Sequence, residues 1–365
     1  MNHHANAIAN RLSLRQPQRE SLEILARVCE LIPLEKSADL DTALKAIQSE
    51  FPSVTDFERE FPSLCFALAT GVGKTRLMGA FISYLYRAEG MRHFFVLAPN
   101  LTIYSKLIAD FTPNTPKYVF QGIAEFATNP PIIITGDNYE GGIGVRGLFE
   151  TDEVHVNIFN ISKINSEVRG GSAPRIKRLF EYIGESYFEY LSKLDDLVLL
   201  MDESHRYRAS AGVRAINELR PVLGLELTAT PQVESGGRAV AFKNVIYSYP
   251  LSNALTDGFV KEPAVATREN FDAANYDKDS LERLKLEDGV RIHEHTKVEL
   301  EVYGREADRP FVKPFMLVVA QDTEHANALL KVIEDESFFE GRYKGKVITV
   351  HSNQRGEERD ETVQQ

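Results

Sequence analysis

The sequence predicts an α/β fold on a parallel sheet, and three stretches carry that reading. Leu64–Thr75, L-C-F-A-L-A-T-G-V-G-K-T, is an apolar strand that stops at a Gly-x-Gly turn and hands over to an amphipathic helix. Leu197–His205, L-V-L-L-M-D-E-S-H, begins with an apolar run that fits a strand buried on both faces, and closes on two carboxylates. Leu225–Pro231, L-E-L-T-A-T-P, is a further strand-like run, interrupted by Glu226 and ending in the hydroxyls of Thr228 and Thr230.

The first stretch has the chemistry of a phosphate cradle. Glycines at Gly71 and Gly73 let the backbone adopt φ > 0 and turn the N–H groups of Thr70, Gly71, Val72 and Gly73 toward one anion at a helix N-terminus. Lys74 would reach the β- and γ-phosphates as a point charge, and the Thr75 hydroxyl would join the shell of a Mg²⁺ ion. The full G-x-x-x-x-G-K-[ST] pattern places Gly where Leu68 stands here, so the match rests on the strand before and the helix after. The expected ligand is a nucleoside triphosphate with Mg²⁺. The carboxylates of the second stretch fit the same chemistry. Asp202 can hold Mg²⁺ through its water shell, and Glu203 can orient and deprotonate a water attacking the γ-phosphate.

With 365 residues, 43% of them hydrophobic and 26% charged, the chain is long enough for two α/β domains, each with its own core. No run approaches a membrane span and the N-terminus M-N-H-H-A-N lacks an apolar signal core, so a cytoplasmic location and no membrane partner are expected. Cys29 and Cys65 stand in apolar surroundings without C-x-x-C spacing, the pattern of reduced core residues. A net charge of −11 excludes binding of nucleic acid by bulk attraction and requires a local basic surface for it.

Taken in order, Arg11–Leu31 shows helical spacing with Pro17 suited to a first turn, and Leu34–Glu60 is polar with no assignable chemistry. A helix from Lys74 to about Arg87 carries Leu77, Met78, Phe81, Ile82 and Leu85 on one side. His93–Pro99 reads as a buried strand and Asn100–Phe111 as a helix. Pro130–Thr135 and His155–Ser162 read as strands around a Gly/Asp-rich excursion at Gly136–Gly147, and Arg175–Leu194 as a helix. Phe271–Pro310 is strongly charged. His293-Glu294-His295 is not a metal site, because i, i+2 residues diverge on a helix. Phe315–Gln321, Thr323–Glu334 and Lys346–His351 read as strand, helix and strand, the opening of a second βαβ unit.

The order A-T-G-V-G-K-T, D-E-S-H, T-A-T-P resembles motifs I, II and III of the superfamily-two helicases and translocases, relatives of the DEAD/DEAH-box proteins. The longer wording A-T-G-V-G-K-T-R-L-M-G-A-F, L-A-P-N-L-T-I-Y, N-I-F-N-I-S-K-I-N and D-E-S-H-R-Y-R-A-S-A-G is similar to the restriction subunits of type III restriction-modification systems, from roughly Leu12 onward. One departure is Ser204, where the family's motif II has Ala; a small residue is kept.

The resemblance implies a RecA-like P-loop NTPase lobe over residues 1–250, a charged connector over 251–310, and the start of a second RecA-like lobe over 311–365, where a full lobe needs on the order of 100 residues or more. It implies an ATP hydrolase acting as a helicase or translocase on the DNA backbone, with a modification methyltransferase subunit as a possible partner. Gln18, in R-Q-P-Q, matches the adenine-reading glutamine. Thr228 and Thr230 would couple nucleotide state to lobe closure, and His205 would communicate between ATP and the other lobe. Asn100, Thr102 and Lys106 match a motif that touches the nucleic-acid backbone, although Asn100 serves equally as a helix cap. Lys163 and Asn165 would stand on the same face. Arg206 and Arg208 are candidates for phosphate contacts or a solvated charge pair. A slow ATPase is expected, because no arginine-finger motif is present. So is an absence of DNA cleavage by this stretch, because no P-D…(D/E)-x-K arrangement appears in it. Two other classes stay open: a motor of a repair or phage-defence system, and an ATP-gated DNA-binding fragment without motor activity.

Overall fold

The computed structural model describes residues 2–139, 153–160, 187–208, 210–235 and 237–350. The chain falls into two compact units, Met1–Pro263 and Ala264–Gln365.

The first unit opens with α1 (His3–Arg11), α2 (Gln16–Leu31) and α3 (Leu40–Glu50). Its sheet then alternates with helices: β1 (Ser63–Leu68), α4 (Lys74–Glu89), β2 (His93–Ala98), α5 (Leu101–Phe111), α6 (Ala124–Thr128), β3 (Ile132–Thr135), β4 (His155–Asn160), α7 (Tyr187–Lys193), β5 (Leu197–Asp202), α8 (Ser210–Glu218), β6 (Leu223–Thr228) and β9 (Val245–Tyr249). A small antiparallel hairpin, β7 (Gln232–Ser235) with β8 (Arg238–Ala241), stands between the last two, and α9 (Leu251–Thr256) follows. The seven main strands are all parallel in the order β3-β4-β2-β5-β6-β1-β9. The expected α/β class is therefore the observed one, a RecA-like parallel sheet.

Alternation along the central strands explains why they read as continuous apolar runs. In β5, Val198 and Leu200 join the core beneath α1, α2, α4 and α5, whereas Leu197, Leu199 and Met201 join a second core with Tyr187, Phe188, Leu191, Ile216 and Leu219. Successive side chains point to opposite faces, so a strand covered on both needs apolar residues at every position. The same geometry makes a charged residue inside β6 conspicuous: Glu226 is fully buried.

The helix termini follow local chemistry. α4 starts at Gly73 (φ 98°) and ends at Gly90 (φ 71°), both left-handed, and α5 is capped by the Asn100 Oδ1, which accepts from the Ile103 N–H at 2.9 Å. Of the helix expected over Arg175–Leu194, the described part is α7. Part of the excursion at Gly136–Gly147, with Lys163 and Asn165, lies outside the described residues.

In the second unit, α10 (Lys278–Glu306) packs Leu286 and Val290 against Leu329 and Ile333 of α11 (Thr323–Glu334), with Phe338 between them. The helix expected at Thr323–Glu334 forms, but the strands expected on either side of it do not. Residues 315–320 and 346–350 carry no ladder, although they line one groove with α11. Phe315, Leu317 and Val319 are 86%, 77% and 83% exposed, while Met316 and Ala320 face the small core. The period-two pattern is thus expressed as burial without pairing, consistent with the weakness of an isolated two-stranded parallel pair. No helix among the described residues is long and apolar enough to cross a membrane.

Candidate functional site

In a parallel sheet every strand delivers its following turn to the same edge, where open α/β folds bind ligands. Register brings three of these turns together: Ala67 of β1 lies opposite Thr228 of β6, and Asp202 of β5 opposite Leu227. The Thr70–Gly73 turn, the Asp202-Glu203 pair and the Thr228–Thr230 turn therefore sit side by side, although they are far apart in sequence.

The Gly-rich turn needs its glycines. Gly71 has φ 82° and Gly73 φ 98°, and a Cβ on Gly73 would stand 2.7 Å from the Gln18 Nε2. Lys74 is the first residue of α4 and its ammonium lies 2.7 Å from the Glu203 Oε1. Glu203 itself is held in the left-handed region (φ 49°), a conformation uncommon for a residue with a Cβ, and this turns its carboxylate back toward the Gly-rich loop. Asp202, 7% exposed, has its carboxyl pushed up to about 6, first by burial and then by the Glu203 charge, against the counter-pull of Lys74. Lys74 and both carboxylates thus stand at the same edge of the sheet, with the ammonium against Glu203.

His205, in a 3₁₀ turn (Ser204–Tyr207), joins the second and third turns. Its Nδ1 lies 2.9 Å from the Thr228 Oγ1, 3.2 Å from the Thr230 Oγ1 and 3.6 Å from the Glu203 Oε2. Burial lowers its pKa, so the ring is neutral near pH 7 and bonds the threonines as a neutral imidazole. The Thr230 N–H donates to the Thr228 Oγ1 at 3.1 Å, which fixes the turn between them.

Two residues brace the loop from outside the three motifs. The Arg15 Nη1 donates to the Gly71 carbonyl at 2.7 Å while its guanidinium stacks 4.7 Å from the Phe259 ring centroid. The Gln18 Nε2 donates to the Gly73 carbonyl at 2.8 Å and its Oε1 accepts the Arg15 N–H at 2.8 Å. Gln18 is 2% exposed, with its amide engaged by the Gly73 carbonyl and the Arg15 N–H. Arg15 and Phe259 were not singled out as site residues; the R-Q-P-Q run contains Arg15, but nothing in the local pattern indicates that Phe259 returns to it.

The expected nucleic-acid face is redistributed. Lys106 reaches 3.4 Å from the Thr75 Oγ1 and 3.7 Å from Asp110, beside the Gly-rich loop and not away from it. Asn100 caps α5, Thr102 is exposed on the same helix, and Arg206 is exposed in the 3₁₀ turn. Arg208 is paired with carboxylates. Its Nη1 donates to Glu58 at 2.7 Å and its Nη2 to Glu226 at 2.6 Å, and its guanidinium covers the Phe242 ring at 3.8 Å. The physical reason is Glu226: a carboxylate buried in β6 requires cations, and Arg208 answers that need before it can meet a phosphate.

The family model for the type III restriction enzyme res subunit matches residues 11–233. Among solved structures the chain is similar to the ATP-dependent Type ISP restriction-modification enzyme LlaBIII bound to DNA, at 15% identity and a TM-score of 0.36, covering 60% of this chain and 15% of that one. It is also similar to a nuclease-deletion mutant of the Type ISP restriction-modification enzyme LlaGI in complex with a DNA substrate mimic, at 13% identity and a TM-score of 0.35, covering 72% and 23%. The chain therefore spans less than a quarter of either protein's length. No curated protein matches it.

Proposed function

The chain belongs to the type III restriction enzyme res subunit family, and from that premise we propose that its first unit binds ATP with Mg²⁺ and works as a helicase-like, ATP-hydrolysing motor on DNA. The observation that carries this reading is the 2.7 Å approach of Lys74 to Glu203 at the carboxyl edge of the sheet, beside Asp202 and a glycine turn of the kind that cradles phosphate.

The residues fit a hard divalent cation. Asp202 is a buried carboxylate with too little counter-charge to hold its ordinary pKa, and Thr75 offers an oxygen at the start of α4. Asp202 and Thr75 would hold Mg²⁺, which would neutralise charge developing on the phosphoryl oxygens. Lys74 has two acceptors to choose between. Free of nucleotide it neutralises Glu203; engaged with β- and γ-phosphate oxygens, it releases Glu203 to orient a water and accept its proton. His205 then reports on Glu203 at one side and on Thr228 and Thr230 at the other, which suits a link from nucleotide state to DNA contacts.

DNA backbone contact is assigned to Asn100, Thr102 and Arg206, with Lys163 beyond the described residues, and a modification methyltransferase subunit is the proposed partner in the parent assembly. In this reading residues 1–250 form the ATP-binding lobe, 251–310 a connector and 311–365 the start of a second lobe. The test is steady-state ATP hydrolysis by the full chain with and without duplex DNA. Turnover stimulated by DNA and lost in Glu203→Gln supports a motor. ATP binding with DNA affinity indifferent to nucleotide state would replace it with a passive binding module.

A further inference from the structure

Glu226 is the one charged residue of β6, and six groups converge on its surroundings. Arg208 donates to its Oε2 at 2.6 Å; Ser63 (2.9 Å), Asn244 (3.2 Å) and Arg59 (3.4 Å) donate to its Oε1. Glu58 holds the other arm of Arg208 at 2.7 Å. Ser204, the motif II residue where the family has Ala, is fully buried close to the same carboxylate without the geometry of a full hydrogen bond. The Arg59 and Glu226 side chains are both 0% exposed.

Such a cluster is a poor way to gain stability. Desolvating the charges offsets most of their attraction, and apolar replacements of similar volume are often no worse. What a buried ion pair does supply is a unique geometry. Glu226 and Thr228 are two residues apart on one strand, hence on one face, and both reach the segment that follows Asp202-Glu203. His205 meets Thr228, and three residues later Arg208 meets Glu226. The 3₁₀ turn and the residue that caps it are therefore tied to β6 at two successive points.

We propose that Arg208 and Glu226 form a positioning pair that holds the turn after the catalytic carboxylates in register with β6, so that His205 stays on Thr228 and Thr230. Neither residue touches nucleotide or DNA; both act through His205. This rests on the motor reading, and it assigns Arg208 to nucleotide coupling in place of phosphate contact.

The experiment is a kinetic cycle in the full chain: wild type, Glu226→Gln, His205→Ala and the two combined. A second line, Glu226→Gln with Arg208→Gln, removes both charges so that no uncompensated buried cation is left on Arg208. ATPase is measured with DNA, with melting to confirm folding and hydrogen exchange of the 203–208 peptide. The expected result is a kcat lowered at least about tenfold with KM for ATP within about twofold, faster exchange at 203–208, and no further loss when His205→Ala is added, because residues acting as one unit are not additive. Overturning results are variants that melt earlier but keep the wild-type kcat, or losses that multiply with His205→Ala. If wild type neither binds nor hydrolyses ATP, the motor reading fails on its own. The pair is then judged by exchange: an unchanged 203–208 peptide refutes it, and a loosened one upholds the positioning alone.

Discussion

Replacing Asp202 with Asn is expected to stabilise the nucleotide-free protein while abolishing its Mg²⁺ dependence. The Asp202 carboxyl is raised from 3.8 to about 6 by burial, with Lys74 only partly compensating. A group bound more tightly by protons in the folded state contributes stability at low pH and loses it as pH rises through the folded value. From below pH 3 to above pH 7 the wild type should therefore lose about 3 kcal/mol from this group, at 1.36 kcal/mol for each unit of pKa difference. Asn has no such titration and can still accept the Glu203 N–H, which Asp202 accepts at 3.2 Å. Urea unfolding of both proteins at pH 8, 6, 5 and 4 is the assay. Asp202→Asn should be more stable by about 3 kcal/mol at pH 8, by roughly half that near pH 5, and by little at pH 4. A gain independent of pH, or a loss at pH 8, would refute the assignment of Asp202 as a strained, cation-seeking carboxylate.

Glu203→Gln should leave ATP affinity within a few-fold and lower turnover by about 10²-fold or more, the usual contribution of a general base, read by rapid-quench hydrolysis. Gly73→Ala should cost about 1–3 kcal/mol in denaturant unfolding, because φ is 98° and the new Cβ meets Gln18 at 2.7 Å; Gly90→Ala, at φ 71° with open space around it, should cost only about 1 kcal/mol. Arg208→Ala should destabilise the fold by about 3 kcal/mol by leaving the buried Glu226 with Arg59 alone as counter-charge, whereas Arg206→Ala should leave stability unchanged and reduce the salt dependence of DNA binding by about one charge. Equal effects of the two arginines in both assays would contradict their assignment to interior and surface.

Much of the sheet was legible because it obeys local rules. The runs ending at Leu68, Asp202 and Thr228 are apolar at most positions on both faces since both faces are covered, and Gly71 and Gly73 are required by a backbone conformation that other residues rarely adopt. The roles of Arg208, Gln18 and Lys106 were less legible, for a shared reason. Each side chain is long enough to reach partners remote in sequence, and which partner it takes depends on tertiary packing that spacing does not encode. Arg208 looked like a surface cation until Glu226 was seen to be buried. Glu226 in turn stood out as the one exception in its strand, and that exception was the readable sign of a charged interior. In the second unit, Phe315–Gln321 has the alternation of a strand but no ladder, since a pattern of faces does not supply hydrogen-bonding neighbours.

The convergence of Lys74 with Asp202 and Glu203 on one bound nucleotide is tested most directly by calorimetric titration of ATP into the full chain, with Mg²⁺ or with EDTA, for wild type and Lys74→Ala. The expected result is saturable, Mg²⁺-dependent binding by wild type and at least about tenfold weaker binding by Lys74→Ala, the loss of one charge-assisted phosphate contact. Wild-type binding of equal strength in EDTA, or a Lys74→Ala protein that binds as tightly as wild type, would contradict it.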